Sequence, residues 1–415
     1  MTSLDPTTAA HTDGPGIDSP ELIADPAGEF DRMRESAPLV AGHYLDGRPI
    51  WYVTREAQVR ELLSDPRFVT SPAQLPGGDQ TSARERLLRS FGVPDDLIQY
   101  LVGNILDADG PDHVRLRKLV SRAFTVRRVN ALRSSVERIA AGLLDELAAE
   151  AADPTELVER FCYPLPITVI CDLVGIPLAD RPSWRVWGRD LTARRPERFG
   201  PVLREVVDHL HQLIEHRRAA PADDLLSELI RTHDEDGDRL SDREMVSLVL
   251  TLVFAGHETT AHLLSNSIVA LLTHPDQLAL LRADPGLWPA AVHELLRWGS
   301  PVLIAALRYA SEEMEWAGGH LHVGDAMQPV LLAANRDPRQ RAEPERLDIM
   351  RRPSGHGEAH VAFGYGVHYC LGAALARQEA EVGLRALFHR FPNLALAGDP
   401  AELKWMPAPG IRRLT

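Results

Sequence analysis

Lysine and cysteine are scarce, and no apolar run is long. Lys118 and Lys404 are the only lysines, so 45 − 2 = 43 positive side chains are arginine, the mark of a GC-rich bacterial coding bias. Acidic residues outnumber basic ones, giving a formal net charge of -14, which excludes nucleic acid and anionic membrane surfaces as general partners. Three cysteines, Cys162, Cys171 and Cys370, are too few and too scattered for a disulfide framework or a Cys-x-x-Cys metal site. The longest apolar stretch, around "MVSLVLTLVFAG", is too short and interrupted to span a bilayer, and the first residues lack the basic and apolar regions of a signal peptide. A cytoplasmic enzyme is expected.

What is present is an ordinary globular composition, 44% hydrophobic and 25% charged over 415 residues, enough for a large core. Residues 1–20, rich in Thr, Pro, Gly and Asp, read as a mobile tail. "RPIWYVTREAQVRELLSDPRF" reads as short strands running into a helix stopped by Asp65-Pro66. "VRLRKLVSRAFT", "VNALRSSVERIAAGLLDELAAEA" and "PVLREVVDHLHQLIEHRRAA" carry the helical period. With no internal repeat and no linker, residues 21–415 read as one mainly α (α+β) domain with a small β-rich region. The clearest helix starts at Ser241, whose spacing to Glu244 forms a capping box, and runs to Thr273 before His274-Pro275.

Inside that helix, "AGHETTAH" resembles the zinc signature H-E-x-x-H but is one residue too long. Residues four apart point about 40° from one another around a helix, whereas His257 and His262, five apart, diverge by about 140° and cannot share an ion. A zinc hydrolase is thereby disfavoured. Ala255, Gly256, Glu258 and Thr259 remain as costly choices for a buried helix. A bland alternative is that Thr259 bonds a carbonyl one turn back while Glu258 reaches a surface.

The sharpest pattern is "FGYGVHYCLGAALARQEAEVGLRALF". Gly364 and Gly366 permit a tight backbone path, and Cys370 precedes Gly372 and an amphipathic helix whose N–H groups and dipole stabilise a thiolate. Considered alone, an inert buried cysteine is the simpler account. The full F-G-x-G-x-H-x-C-x-G pattern closely resembles the haem loop of the cytochrome P450 monooxygenases. The resemblance runs from about Asp25 to the end, with motifs in the expected order, and implies the P450 fold, with haem held between the long central helix and the Cys-loop helix.

By that resemblance Cys370 is the axial ligand of haem b (iron protoporphyrin IX), His368 bonds a propionate, and Phe363 packs under the sulfur. His113 and Arg117 in "DGPDHVRLRKLV", with Arg308 in "ALRYA", resemble the propionate clamp. Glu294 and Arg297 of "HELLRW" resemble the family's buried Glu-x-x-Arg pair, with Arg346 of "AEPERLD" expected to supply the third side chain. "LLAANRDP" matches in order. Ala255, Gly256, Glu258 and Thr259 match the oxygen-side helix: Thr259 holding oxygen and a water, Glu258 relaying protons, and the two small residues leaving room. His257 and His262 are expected to be packing or surface residues.

The implied reaction is RH + O2 + 2 e⁻ + 2 H⁺ → ROH + H2O. Electrons must come from outside the chain, since three cysteines cannot hold a four-cysteine cluster and also ligate haem, and the resemblance implies NAD(P)H as their source through redox partners. A ferredoxin and its reductase are implied, and a monomer is expected; the cluster Arg115, Lys118, Arg122, Arg127 and Arg128 reads either as a docking face for an acidic ferredoxin or as a merely solvated helix face. Substrate walls are expected from "SFGVPDDLIQYLVGNIL", Leu252, Leu303, Ile304, Trp405 and Met406. Their apolar character favours a bulky, poorly charged macrolide, polyketide, terpenoid or steroid-like molecule. The competing reading is a haem protein that binds a ligand without turnover.

Overall fold

The structure, a computed structural model, describes residues 14–75, 81–150, 154–192, 195–235, 240–351, 358–403, 405–406 and 413–414. The chain divides into two compact units, each discontinuous in sequence. One comprises Met1–Thr81, Ser265–Cys370 and Asn393–Thr415; the other comprises Ser82–Leu264 and Leu371–Pro392. Because each unit gathers distant stretches, no linker composition marks their boundaries.

The first unit is built on a five-stranded sheet ordered Leu39–His43, Pro49–Val53, Ala326–Pro329, Arg308–Ala310, Phe68–Val69. All its pairings are antiparallel except the parallel one between Pro49–Val53 and Ala326–Pro329. Period-two alternation divides the side chains between two cores. Ile50 and Tyr52 join Ile17, Phe30 and Leu332 on one side, while Val53 and Met327 join Val59, Leu62, Phe68 and Trp316 on the other. Residues 14–19, expected in the mobile tail, are tied down. Ile17 is buried, its N–H donates to the His43 carbonyl at 2.9 Å, and the Tyr52 hydroxyl donates to the Pro15 carbonyl at 3.2 Å. Burial of Ile17 in this core outweighs the local polar composition. Residues 1–13 lie outside the described residues.

The second unit is helical. Its helix Ala373–Arg390 packs on Arg133–Glu150, joined by Arg133 Nη2 donating to Glu381 Oε1 at 3.0 Å. A Cβ on Gly383 would come within 2.8 Å of Leu165 Cδ2, so the absence of a side chain lets the helix Pro164–Val174 approach as well. The capping box forms as expected: Ser241 N–H donates to Glu244 Oε2 at 2.7 Å, and Glu244 N–H to Ser241 Oγ at 3.2 Å. The helix it starts, Asp242–Thr273, has 32 residues and is therefore about 48 Å long. No helix of the described residues is long and apolar enough to cross a membrane.

Glu379, buried in the Ala373–Arg390 helix, has its carboxyl pushed well above the usual carboxylate range by burial. Its Oε2 accepts no hydrogen bond among the described residues. The folded carboxyl therefore keeps a proton that the unfolded chain releases near pH ~4.3. A raised folded pKa gives a contribution fully present below the unfolded value and lost progressively as pH rises toward the folded one. Glu379→Gln should therefore fold normally, and its unfolding midpoint in urea should gain on the parent's between pH 5 and pH 8. An unchanged difference at the two pH values would mean that the parent carboxyl titrates normally.

Candidate active site

The cysteine loop is shaped by backbone that only glycine adopts without strain: Gly364 and Gly366 have φ of 73° and 71°. A Cβ on Gly366 would also sit 2.3 Å from the Leu63 carbonyl oxygen, so the loop lies directly against the helix Glu56–Ser64. The Cys370 N–H closes the turn onto the Phe363 carbonyl at 2.9 Å, and the Tyr369 N–H bonds the Gly366 carbonyl at 3.1 Å. Gly372 is the N-cap of the following helix, which places Cys370 two residues ahead of its positive end. Cys370 is only half-buried, whereas Cys162 and Cys171 are buried. Burial pushes the Cys171 thiol up to about 12 and the Cys162 thiol higher still, so neither is suited to ionise.

Upstream, the segment entering the loop is anchored by "LLAANRDP". Asn335 Oδ1 accepts from the Val361 N–H at 2.7 Å, and Asp337 Oδ2 from the Glu56 N–H at 3.0 Å. Arg297, on the helix Trp288–Trp298, is buried and donates to both carboxylate oxygens of Glu294, each at 2.7 Å. It also donates to the carbonyls of Asn335, Pro344 and Arg346 at 3.1, 2.7 and 3.1 Å. The expected third side chain is corrected here. Arg346 contributes its carbonyl, while its exposed guanidinium pairs with Glu343. Arg351 makes the ion pair instead, Nε to Glu294 Oε1 at 3.2 Å, because the chain turns back after Arg346 and brings Arg351 to the carboxylate. The "RR" at residues 351–352 was the available signal, and spacing alone could not choose it.

On the long helix, Leu252, Gly256 and Thr259 are half-buried and Ala255 is exposed, while Val253, His257, Glu258 and Thr260 are buried. Positions 252, 255, 256 and 259 form one stripe at helical spacing. The Thr259 hydroxyl donates to the Ala255 carbonyl at 2.6 Å, the back-bond of the bland alternative. Glu258 departs from that alternative, being buried rather than at a surface. Its Oε1 lies 3.8 Å from Nε2 of buried His262, and that nitrogen is 3.1 Å from the Tyr163 hydroxyl. His262 is thus internal, turned toward the acid one turn before it. Buried His257 approaches the Val253 carbonyl with Nδ1 at 2.6 Å. Gly256 also differs from expectation. A Cβ there would meet Ile170 Cδ1 at 2.7 Å, so its missing side chain lets the helix Pro164–Val174 approach and does not by itself create room for oxygen.

His113 and Arg117 share a face of the helix Gly110–Ala123; His113 is buried and Arg117 half-buried. Buried Arg308 directs Nη1 to the carbonyls of Ala306 and Leu307 at 3.3 and 3.1 Å.

The sequence profile described as Cytochrome P450 matches residues 193–284 and 286–404. The chain is 40% identical over 395 residues to cytochrome P450 monooxygenase PikC of Streptomyces venezuelae, covering 95% of this chain and 90% of that one. It is 41% identical over 394 residues to 6-deoxyerythronolide B hydroxylase of Saccharopolyspora erythraea, covering 94% and 95%. Among solved structures, the Bacillus subtilis bacillaene polyketide synthase cytochrome P450 PksS superposes with a TM-score of 0.84 at 34% identity, covering 96% and 97%. The chain belongs to the cytochrome P450 family.

It is a cytochrome P450 monooxygenase, an enzyme of haem iron and dioxygen that takes a small-molecule substrate and electrons from redox partners. Within the loop itself the chemistry fits haem iron: Cys370 is a half-buried thiol ahead of a helix start, while the other two cysteines are buried. The structure places the residues expected to wall the substrate pocket as follows. Leu303 is core, packed with Phe30 and Tyr52, because its strand-like segment pairs with the sheet region: its carbonyl accepts from the Leu332 N–H at 3.1 Å. Ile304, half-buried beside that core, bridges Val330. Trp405 and Met406 form a short strand paired with Arg413–Leu414, and their side chains lie outside the described residues.

Glu294→Ala leaves the Arg297 charge buried without its main partner and should destabilise the fold by roughly 3–5 kcal/mol. Arg346→Ala, at an exposed side chain, should cost within about 0.5 kcal/mol. Arg351→Ala should fall clearly above Arg346→Ala. Chemical unfolding of the three variants ranks them, and equal costs for Arg346→Ala and Arg351→Ala would reject the assignment.

Proposed function

We propose that this P450 hydroxylates or epoxidises a bulky, largely apolar product of polyketide or macrolide assembly, as a cytoplasmic monomer supplied with NAD(P)H electrons by a ferredoxin and its reductase. The observation that carries the reading is the Phe363–Cys370 turn, which presents one thiol ahead of a helix. The polyketide assignment is supported by relatives whose names specify such substrates, 6-deoxyerythronolide B hydroxylase and the bacillaene cytochrome PksS. The apolar half-buried Leu252 and Ile304 agree with it. Terpenoid or steroid-like substrates remain the second class to be tested.

When bound, haem supplies dioxygen binding, electron storage and transfer of one oxygen atom to the substrate. Cys370 would provide the anionic sulfur that holds the iron, stabilised by the helix dipole; Phe363 would shield it, and Gly364 and Gly372 would shape its backbone. His113, Arg117, Arg308 and His368 would neutralise the propionates. Glu258 relays from solvent, one after the other, the two protons that the reaction consumes, passing them toward the Thr259 hydroxyl, which orients water on the Ala255–Gly256 stripe. The bond this hydroxyl donates to the Ala255 carbonyl can persist in that task, since the hydroxyl oxygen keeps lone pairs with which to accept from water.

Among the basic residues proposed for ferredoxin docking, Arg115 pairs with Glu244, and Arg128 approaches Asp223 at 3.3 Å. Lys118 and Arg127 are exposed, and the Arg122 side chain lies outside the described residues. We therefore assign the docking charge chiefly to Lys118 and Arg127.

Chemically reduced, carbon-monoxide-treated protein should show the red-displaced Soret band of sulfur-bound haem, and Cys370→Ser should abolish it; the band's absence from intact parent protein removes the reading. Thr259→Ala should keep consuming reductant while releasing more peroxide and at least several-fold less product. Unaltered coupling would leave Thr259 with the helix bond alone. Lys118→Glu with Arg127→Glu should slow reduction by ferredoxin about tenfold at low salt and little at high salt, and salt-independent, parent-like kinetics would refute that docking face.

A further inference from the structure

We propose a second metal site, separate from the haem ligand, in which His293, His360 and Glu358 bind a divalent transition ion such as zinc. The three side chains offer ligand atoms that all lie within 4.8 Å of one another. His293 Nδ1 and His360 Nε2 are 3.3 Å apart, with ring centroids 5.4 Å apart at 43°. Two imidazole nitrogens bound tetrahedrally at ~2.05 Å from one zinc are separated by about 3.3 Å, the spacing found here. A Glu oxygen as third ligand and water as fourth complete a composition that suits zinc or nickel over magnesium or calcium.

The ligands sit on a prepared backbone. His293 precedes the braced Glu294 on a regular helix. On the opposing segment, Arg60 donates to the Glu358 carbonyl at 3.4 Å, Arg341 donates to the Ala359 carbonyl at 2.9 Å, and Asn335 fixes the Val361 N–H. Both arginines would oppose a nearby cation, but both also pair with Glu56, which offsets one of the two charges. His293 and Glu358 are half-buried, leaving an entry route, while His360 is buried. One rearrangement is required. His360 Nδ1 accepts from the Ala362 N–H at 3.3 Å, a long bond, and a metal at Nε2 transfers the ring proton to Nδ1 and displaces it. Occupancy would clip the start of the Glu-x-x-Arg helix to the strand-like approach of the cysteine loop. Nothing in the oxygenase reading depends on this site.

The test uses haem-loaded protein freed of loose metal by chelation and dialysed against zinc sulfate, with zinc counted against haem iron. One zinc per haem is expected, with at least tenfold weaker binding in His293→Asn and in Glu358→Gln. Zinc-edge X-ray absorption on the parent should show two imidazole ligands, independently of how the variants fold. The parent's melting temperature should rise with zinc, and that of Glu358→Gln should not. No retained zinc, a shell without paired imidazoles, or equal binding by parent and variants overturns the proposal and leaves a His360-to-His293 hydrogen bond. The carbon-monoxide spectrum reads the haem separately, so failure here is distinguishable from failure of the P450 mechanism.

Discussion

The Arg297 guanidinium must stay charged where almost no water reaches it, and much of the first unit is arranged to satisfy it. Five of its hydrogen bonds are visible, two to Glu294 and three to carbonyls of distant residues. The carbonyls come from separate stretches: Asn335 ends the helix Leu331–Asn335, and Pro344 and Arg346 lie in the irregular chain that follows. An ion in such a place gains little over an apolar core of the same volume, but it specifies geometry, because a guanidinium fork accepts only a narrow set of partner positions. Asn335 carries that order onward, since its side chain holds Val361 just before the cysteine loop. The haem-side turn is therefore positioned through hydrogen bonds that begin at a residue 73 positions before Cys370, as the numbers 297 and 370 show (370 − 297).

The long helix answers a different constraint. A buried carboxylate and two buried histidines stand beside the half-buried Thr259 hydroxyl in this helix, and each must find polar company. Thr259 uses a carbonyl of its own helix, and His257 does the same. Glu258 and His262 face one another, with Tyr163 closing the group. The result is a polar strip beside a stripe of small side chains, an arrangement that can hold protons close to an open surface without wetting the core.

Locally encoded features were legible. The capping box, the His274-Pro275 stop, the strand-to-helix stretch ending at Asp65-Pro66 and the helical period of the basic segments all depend on residues within one or two turns, and each formed. The glycine path at 364 and 366 was equally readable, since a positive φ leaves few alternatives. Features set by distant partners were not. Arg346 and Arg351 are both plausible by spacing, and only the fold of the intervening chain determines which guanidinium meets Glu294. Leu303 looked like a pocket wall because apolarity does not distinguish a cavity lining from a packed core. Ile17 looked like tail because its neighbours are polar, although its burial is decided by Phe30 and Tyr52.

The sequence by itself determined the family and singled out Cys370, Glu258 and Thr259 as candidates, because each stands in a contiguous pattern whose chemistry needs those residue types at that spacing. Tertiary structure alone decided what the surrounding side chains do. Gly256 makes space for Ile170, His262 turns toward Glu258, and His360 comes within reach of His293 although 67 positions separate them in the chain (360 − 293). Such pairings arise from how packed elements bring remote positions together, and no local period records them.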